Sequence, residues 1–257
     1  MRVTACELPH EPRALAPAWA GLCEHASRHG SDLVLLPEFA FVEPVWETER
    51  FDAVRWADLV AESDAWMARL AELGADFVVG SRPVNVEDKP LNQGYLWSSA
   101  AGLRPLRSKF FLPDEPGGWE ARWYGRGDPD FSVFRAGDCT FGINICSELW
   151  ALETYAAYAE QNVEIILSPR ATAAATTAKW LSVGVVAAAR SGAFSVSSNR
   201  VDAKGNCGGV GWVISPEGGI LASTSAETPF VTLEIELAAS LAARAAHPCN
   251  VFSGQRR

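Results

Sequence analysis

Histidine is scarce in this chain of 257 residues, and this scarcity limits the catalytic chemistry open to it. There are four histidines, and none lies between residues 30 and 246: His10, His25, His29 and His247. Two of them fall in a predicted early helix with polar neighbours, and one lies in the C-terminal tail. A Cys–His or Ser–His catalytic pair is therefore disfavoured. A nucleophile in this chain would need a carboxylate or an amine as its base.

Long apolar runs are missing as well. No stretch approaches the length of a membrane span, and the N-terminal segment MRVTACELPHEP lacks the apolar region of a signal peptide. The formal net charge is −9, which disfavours nucleic acid and anionic membrane surfaces as partners. We therefore expect a cytoplasmic protein that binds neither nucleic acid nor membranes.

The six cysteines form no C-x-x-C pair, and no two of them share a metal-like spacing with a histidine. The chain is too large and too rich in apolar residues to need a disulfide framework. The simplest interpretation of any one cysteine is thus a buried, reduced thiol. A nucleophilic cysteine has to be distinguished from this background by its surroundings.

Short apolar strands alternate with helical stretches along the chain. The segments RVTACEL and DLVLLPEF predict early strands, and the helix between them is predicted to end at Gly30. The last strands follow one another through short turns such as SPEGG, which favours antiparallel pairing there. No linker, repeat or low-complexity tract interrupts this order. We therefore predict a single α/β domain over residues 1–257, a four-layer α-β-β-α sandwich of two mixed sheets with helices outside.

Three chemically useful side chains stand at or near the carboxyl ends of predicted strands, where α/β folds build their sites. Glu38 follows the apolar run LVLL, Lys109 lies inside the strand-like segment RSKFF, and Cys146 ends the run FGINIC. Taken singly, Glu38 is an ordinary loop acid and Lys109 an edge-strand lysine whose head reaches solvent. Taken together, they supply a nucleophile, a general base and a cation. The cation can lower the pKa of the thiol and later hold an oxyanion.

The order of the motifs LLPEF, SKFFLPDE and GINICSELW resembles the nitrilase, or carbon–nitrogen hydrolase, superfamily. The later segments ILSPRAT, AAARSGAFSVSSNRVD and GWVISPEGGILAS are similar to the parts of that family that follow the nucleophile, so the resemblance spans the whole chain. It implies an amidase-like enzyme with a Glu–Lys–Cys triad. In this triad Glu38 is the general base, Lys109 the stabilising cation and Cys146 the nucleophile.

Family members often have a second glutamate close to the substrate amide. Glu115 in LPDEPGG and Glu120 in GGWEARWYGRGD compete for that role. The aromatic and glycine residues after Glu120 resemble the family pattern and favour it. The alternative is that both are solvated loop acids.

The chain departs from the family pattern at several positions. Ser147 replaces the aromatic residue that often follows the nucleophile, whereas Glu148 keeps the acid after it. A small residue there leaves more room beside the thiol. Trp212, in GVGW, stands at or beside the place of a family serine. Family tails often reach across a subunit interface and this one is short, so a homodimer is expected more firmly than a larger homo-oligomer.

The resemblance implies hydrolysis of a non-peptide carbon–nitrogen bond in a small amide or carbamoyl compound. The reaction passes through a cysteine thioester, releases ammonia or an amine, and needs no metal or organic cofactor. Lys109 and the backbone N–H of Ser147 are expected to hold the oxyanion. Arg170, in SPRAT, is expected to bind a substrate carboxylate, with a structural salt bridge or a capped loop as the alternative. Trp123 and Trp150 are candidates to line the pocket.

Two alternatives remain open on the same scaffold. One is a nitrilase or an N-acyltransferase, which turnover of nitriles or amines without amide hydrolysis would reveal. The other is a non-catalytic binding module, which the intact Glu38, Lys109 and Cys146 disfavour. A thiol that no electrophile labels would indicate such a module.

Overall fold

A computed structural model of the chain describes residues 1–252. Its strands are β1 Arg2–Pro9, β2 Leu33–Glu38, β3 Phe77–Val86, β4 Lys89–Ser98, β5 Gly102–Ser108, β6 Phe134–Ala136, β7 Cys139–Ile143, β8 Ile165–Arg170, β9 Phe194–Val201, β10 Trp212–Ile214, β11 Ile220–Ser223 and β12 Phe230–Glu234. Its α-helices are α1 Pro12–His29, α2 Ala53–Met67, α3 Glu120–Trp123, α4 Glu153–Glu160, α5 Thr177–Ser191, α6 Ala238–Arg244 and α7 Cys249–Phe252. Short 3-10 helices cover Leu70–Leu73, Cys146–Trp150 and Ala174–Thr176.

The strands form one large mixed sheet in the order β5-β4-β3-β2-β1-β9-β8-β7-β6, with β10 beside β9, β11 beside β10, and β12 beside β1. Strand β1 joins its two halves. Residues 3–5 pair with residues 33–35 of β2, and residues 7–9 pair with residues 199–201 of β9. The central pairs are parallel, whereas β3, β4 and β5 follow one another in antiparallel pairs. The prediction of a mixed α/β fold is confirmed.

The buried side chains alternate between the two faces of the sheet, because successive residues of a strand point in opposite directions. Leu35 of β2 belongs to the same buried cluster as Leu167 of β8. Val34 belongs to a second cluster with residues of α1 and α2, and Ile166 to a third with residues of α4 and α5. Strands from the two halves of the sheet therefore share one core on one face and pack against helices on the other.

The ends of several elements differ from the sequence prediction. Helix α1 ends as predicted, because Gly30 adopts the left-handed conformation (φ 63°) that glycine tolerates at a helix end. The second predicted helix is shorter than expected: α2 stops at Met67, and a 3-10 helix carries the chain to Gly74. The segment PLRSKFFL is not one strand, because β5 ends at Ser108 and Lys109 lies one residue beyond it.

Within residues 1–252, no helix is both long enough and apolar enough to cross a membrane.

Candidate active site

The ammonium group of Lys109 lies in a buried cluster of acids where β5 ends. Its Nζ donates to Oε1 of Glu38 at 2.8 Å and to Oε1 of Glu120 at 2.8 Å. Lys109 and Glu38 have no exposed surface, and Glu120 is buried too. Glu115 is exposed, and its backbone pairs with that of Gly118 in a turn. Of the two competing acids, the structure therefore brings Glu120 to the lysine.

Glu38 is held through one carboxylate oxygen and left free at the other. Asn92, a fully buried residue of β4, donates its side-chain amide to Oε1 at 2.8 Å. The backbone carbonyl of Asn92 accepts the N–H of Lys109 at 2.8 Å. Among residues 1–252, Oε2 of Glu38 is buried and has no hydrogen-bond partner. This oxygen is available to accept a proton.

Cys146 starts the 3-10 helix three residues after β7, in a strained backbone conformation. Its φ of 48° lies in the left-handed region, which costs a residue other than glycine about 1–3 kcal/mol. Phe39, directly after Glu38, has a similar φ of 46°. The Sγ atom of Cys146 lies 4.0 Å from the carbonyl oxygen of Ala171, and the residue is 6 % exposed. Cys146 and Glu38 therefore each lie at or beside a strained residue that the surrounding structure must hold in place.

The acid that follows the nucleophile supplies part of that restraint. Glu148 is fully buried and accepts the N–H of Ile145 at 2.9 Å and the N–H of Phe110 at 2.7 Å. The buried Arg107 donates to both oxygens of the same carboxylate, one of them at 2.8 Å. Such two-pronged arginine–carboxylate pairs are geometrically specific. Glu148 thus joins the segment that carries Lys109 to the turn that carries Cys146.

The electrostatics of the cluster keep the lysine charged and the thiol protonated. Burial lowers the pKa of Lys109, but Glu120 and Glu38 outweigh it, so the net pKa is raised. Burial and the Glu38 carboxylate raise the pKa of the Cys146 thiol well above its usual value, although Lys109 opposes them. The ammonium does lower the pKa of the thiol, as expected, but the net pKa is raised because burial and Glu38 have the larger effect. Burial outweighs the cation, so the thiol of the resting protein is protonated.

The pKa of Glu120 is raised to about 7, first by burial and then by Glu38, against the opposing effect of Lys109. The folded state thus favours the neutral acid. This stabilisation is complete below the pKa of the unfolded chain and is lost as the pH rises through about 7. Glu120→Gln keeps a neutral side chain at every pH. We therefore expect the unfolding temperature of the variant minus that of wild type to increase as the pH increases. Thermal unfolding followed by circular dichroism measures the difference.

Glu115→Gln is the matched control, because it removes an exposed acid from the same loop. Its unfolding temperature relative to wild type should vary little with pH. A difference between Glu120→Gln and wild type that is the same on both sides of neutrality would contradict the raised pKa of Glu120.

Three candidate substrate-binding residues have packing roles in the structure. The Ser147 hydroxyl donates to a backbone carbonyl of the segment after β5 at 2.7 Å. Trp150 is 45 % exposed, and its ring packs edge-on against Trp180. Trp123 is buried, and its indole N–H donates to the carbonyl oxygen of Thr48 at 2.7 Å. Trp150 therefore lies at the surface, whereas Trp123 supports the loop before α2 and lines a cavity beside it, so the pocket role of both residues stays a prediction.

Arg170, the residue predicted to bind a substrate carboxylate, is occupied by contacts within the protein. The side chain has no exposed surface. It donates to Ser197 at 2.7 Å, to Thr172 at 2.8 Å and to the carbonyl oxygen of Val210 at 2.6 Å. Its guanidinium also lies 4.0 Å from the ring centroid of Trp212. These contacts match the structural alternative, in which Arg170 ties together β8, β9 and the loop before β10.

The profile of the carbon-nitrogen hydrolase family matches residues 2–245. The chain belongs to the carbon-nitrogen hydrolase family. The resemblance to the nitrilase superfamily is thereby confirmed, and so is the prediction of an enzyme that acts on carbon–nitrogen bonds. No curated protein sequence matched the chain.

Solved structures share the fold of this hydrolase at low sequence identity. A carbon-nitrogen hydrolase from Helicobacter pylori G27 is 19 % identical, with a TM-score of 0.85 over 98 % of this chain and 94 % of that one. A mutant of the amidase from Nesterenkonia sp. AN1, with the acetamide moiety of fluoroacetamide added covalently at its active-site cysteine, is 20 % identical. Its TM-score is 0.76 over 94 % of this chain and 92 % of that one. A CN-hydrolase superfamily protein from Xanthomonas campestris, with an arsenic adduct in its active site, is 20 % identical. Its TM-score is 0.76 over 98 % of this chain and 96 % of that one.

Proposed function

We propose that this carbon-nitrogen hydrolase cleaves small non-peptide amides or carbamoyl compounds through a thioester at Cys146. One observation carries the proposal. Glu38 is bonded to Lys109 and Asn92 through Oε1, and its buried Oε2 has no partner among residues 1–252. A protonated thiol within the electrostatic influence of that carboxylate has a general base available and a cation beside it.

In the first half-reaction, Glu38 takes the thiol proton as Sγ of Cys146 attacks the amide carbon. The oxyanion is held by the Lys109 ammonium and the backbone N–H of Ser147. Glu120, which accepts a hydrogen bond from the same ammonium, lies close to the substrate amide in this scheme. Collapse of the intermediate breaks the carbon–nitrogen bond, and Glu38 returns its proton to the departing ammonia or amine.

In the second half-reaction, Glu38 removes a proton from water, and the hydroxyl attacks the thioester carbon. The carbon–sulfur bond breaks, the thiol regains its proton, and a carboxylic acid leaves. One amide and one water give one acid and one ammonia or amine. In a mutant of the amidase from Nesterenkonia sp., the active-site cysteine carries the acetamide moiety of fluoroacetamide covalently, which supports a nucleophilic role for the cysteine in this scheme.

Ammonia release from a panel of small amides and carbamoyl compounds tests the proposal. We expect stoichiometric ammonia and carboxylic acid from wild type, and background release from Cys146→Ala. Cys23→Ala is the matched control, because that half-buried thiol lies on α1, and it should retain activity. Turnover of nitriles, or acyl transfer to an amine without amide hydrolysis, would support the alternative enzymes. A chain that neither turns over any of these compounds nor is labelled by an electrophile would support the binding module.

The four-layer sandwich and the single domain are proposed as the finer description of the fold. Support comes from the three buried clusters: one is shared by strands of both halves of the sheet, and the other two lie against α1 and α2 and against α4 and α5. Two sheets facing one another, with helices outside, would account for all three.

A homodimer, or a larger homo-oligomer, that works in the cytoplasm on a small amide is likewise a proposal. Apolar side chains on the outer surface of α5 and α6, Val186 and Leu241, are 45 % and 66 % exposed. The six free thiols agree with a reducing compartment. The net charge of −9 supports the absence of nucleic-acid and membrane partners.

A further inference from the structure

A cavity of about 410 Å³ lies beside the nucleophile. Its lining includes Ala171, whose carbonyl oxygen lies 4.0 Å from Sγ of Cys146. It also includes Trp46, whose carbonyl oxygen accepts the N–H of Trp119, the residue before Glu120. The cavity therefore lies near the candidate site through the neighbours of Cys146 and Glu120, and it has the size of a small-molecule site.

The cavity has an acidic and aromatic lining. Glu47 is the only charged residue among the described residues that line the cavity. Trp46, the residue before Glu47, also belongs to the lining. The side-chain amide of Asn206, which also belongs to the lining, donates to Oε1 of Glu47 at 3.5 Å. The acid is exposed, so a solute entering the cavity can reach it.

No cation lines this cavity among residues 1–252. The guanidinium of Arg170 donates to three protein acceptors. Arg200 is fully buried and donates to the carbonyl oxygen of Val42 at 2.6 Å. A substrate carboxylate placed here would meet the like charge of Glu47 without a compensating partner, which is unfavourable.

We infer that this cavity receives the acyl chain of amides that carry a positively charged nitrogen, an ammonium or a guanidinium, several bonds from the reacting carbonyl. The carboxylate of Glu47 attracts that charge, and the face of an indole stabilises a cation in the same space. The inference rests on the proposed function, because it concerns the acyl substrate of Cys146.

Three amides of matched chain length test the inference: 5-aminopentanamide is cationic, hexanamide neutral and adipamate anionic. We expect kcat/KM for the cationic amide to exceed that for hexanamide by about five- to tenfold, the size of an exposed ion pair combined with a cation–π contact. Adipamate should be the poorest of the three. The preference should weaken as salt is added, since the acid is exposed.

Glu47→Gln is expected to bring the ratio of cationic to neutral kcat/KM close to one. Glu43→Gln is the matched control, because Glu43 is an exposed acid four residues earlier that pairs with Arg55 at 3.0 Å. It should leave the ratio as in wild type. A preference for hexanamide or adipamate, or a cationic preference that survives Glu47→Gln, overturns the inference while leaving amide hydrolysis intact.

Binding to Cys146→Ala separates this inference from the proposed reaction. If no amide is hydrolysed, the proposed function fails, but calorimetric dissociation constants of the same three amides still measure the cavity. Tighter binding of 5-aminopentanamide than of hexanamide, lost when Glu47→Gln is added, supports a cation site. Equal or reversed affinities overturn it.

Discussion

Lys109→Arg is expected to lower kcat by about 10²–10³, the usual cost of losing one well-placed oxyanion donor. The ammonium of Lys109 is completely buried between Glu38 and Glu120, with 2.8 Å contacts to both. A guanidinium keeps the charge but is larger and planar, so it cannot point one nitrogen at the same place. Lys109→Ala should lose at least as much. Steady-state kinetics on any amide found to be a substrate measures both variants.

Lys89→Arg is the matched control for this substitution. Lys89 is an exposed lysine of β4 whose Nζ donates to the carbonyl oxygen of Arg126 at 2.7 Å. It should retain wild-type turnover, and circular dichroism should show that all three variants are folded. Near-normal kcat in folded Lys109→Arg would place the lysine away from the reacting centre and remove the main support for the proposed mechanism.

Glu38→Gln is expected to lower kcat by about 10²–10⁴, the range that general acid–base catalysis supplies. The amide can still accept hydrogen bonds from Asn92 and Lys109, but it cannot take the thiol proton. Because burial raises the pKa of Cys146, few thiolates form without the base. The residual rate of the variant should therefore increase by about tenfold per pH unit through neutrality, as the thiolate fraction does.

The pH–rate profile distinguishes this role from a purely structural one. A glutamine that merely disturbed packing would lower the rate equally at every pH, and the profile of the variant would parallel that of wild type. A variant with wild-type turnover would show that Glu38 is not the base and that another group removes the proton.

The catalytic candidates could be predicted from sequence because each lies where an apolar run ends. Runs of apolar residues locate strands, and the ends of strands locate sites. This logic places Glu38 at the last residue of β2 and Lys109 one residue past β5. It also places Cys146 three residues past β7. The mixed α/β order follows from the same runs.

Asn92 could not be predicted, because its role depends on pairing between strands. It lies within the strand-like segment PLNQGYLWS, and no neighbouring residue in the sequence indicates a catalytic partner for its amide. Only the pairing of β4 with β3, which itself pairs with β2, brings its amide to Glu38. The sequence indicated Glu148 by its position two residues after Cys146, but it did not indicate which cation pairs with this acid. Arg107 lies 41 residues earlier and meets it only in the folded chain.

The contacts of the predicted substrate-binding residues could not be read from the sequence for a related reason. Arg170 does end a strand, as the sequence indicated, but its side chain turns inward because Ser197, Thr172 and Val210 offer acceptors there. Trp150 follows Cys146 by four residues in the sequence, yet its ring is exposed at the surface. A 3-10 helix of three residues per turn carries its ring to the surface. The direction of a side chain depends on local backbone geometry, which composition and spacing do not reveal.

The buried, protonated state of the Cys146 thiol also bears on how long the enzyme survives in an oxidising environment. Peroxides and other oxidants attack thiolates far faster than thiols. In the resting protein Cys146 is 6 % exposed, and the pKa of its thiol is raised, so the sulfur is both sheltered and unreactive. In the proposed mechanism, its nucleophilicity develops only while a carbonyl carbon is present to receive the electron pair as Glu38 accepts the proton. The resting protein should therefore keep its activity during storage without added reductant, whereas an enzyme that rests as a thiolate would be progressively inactivated.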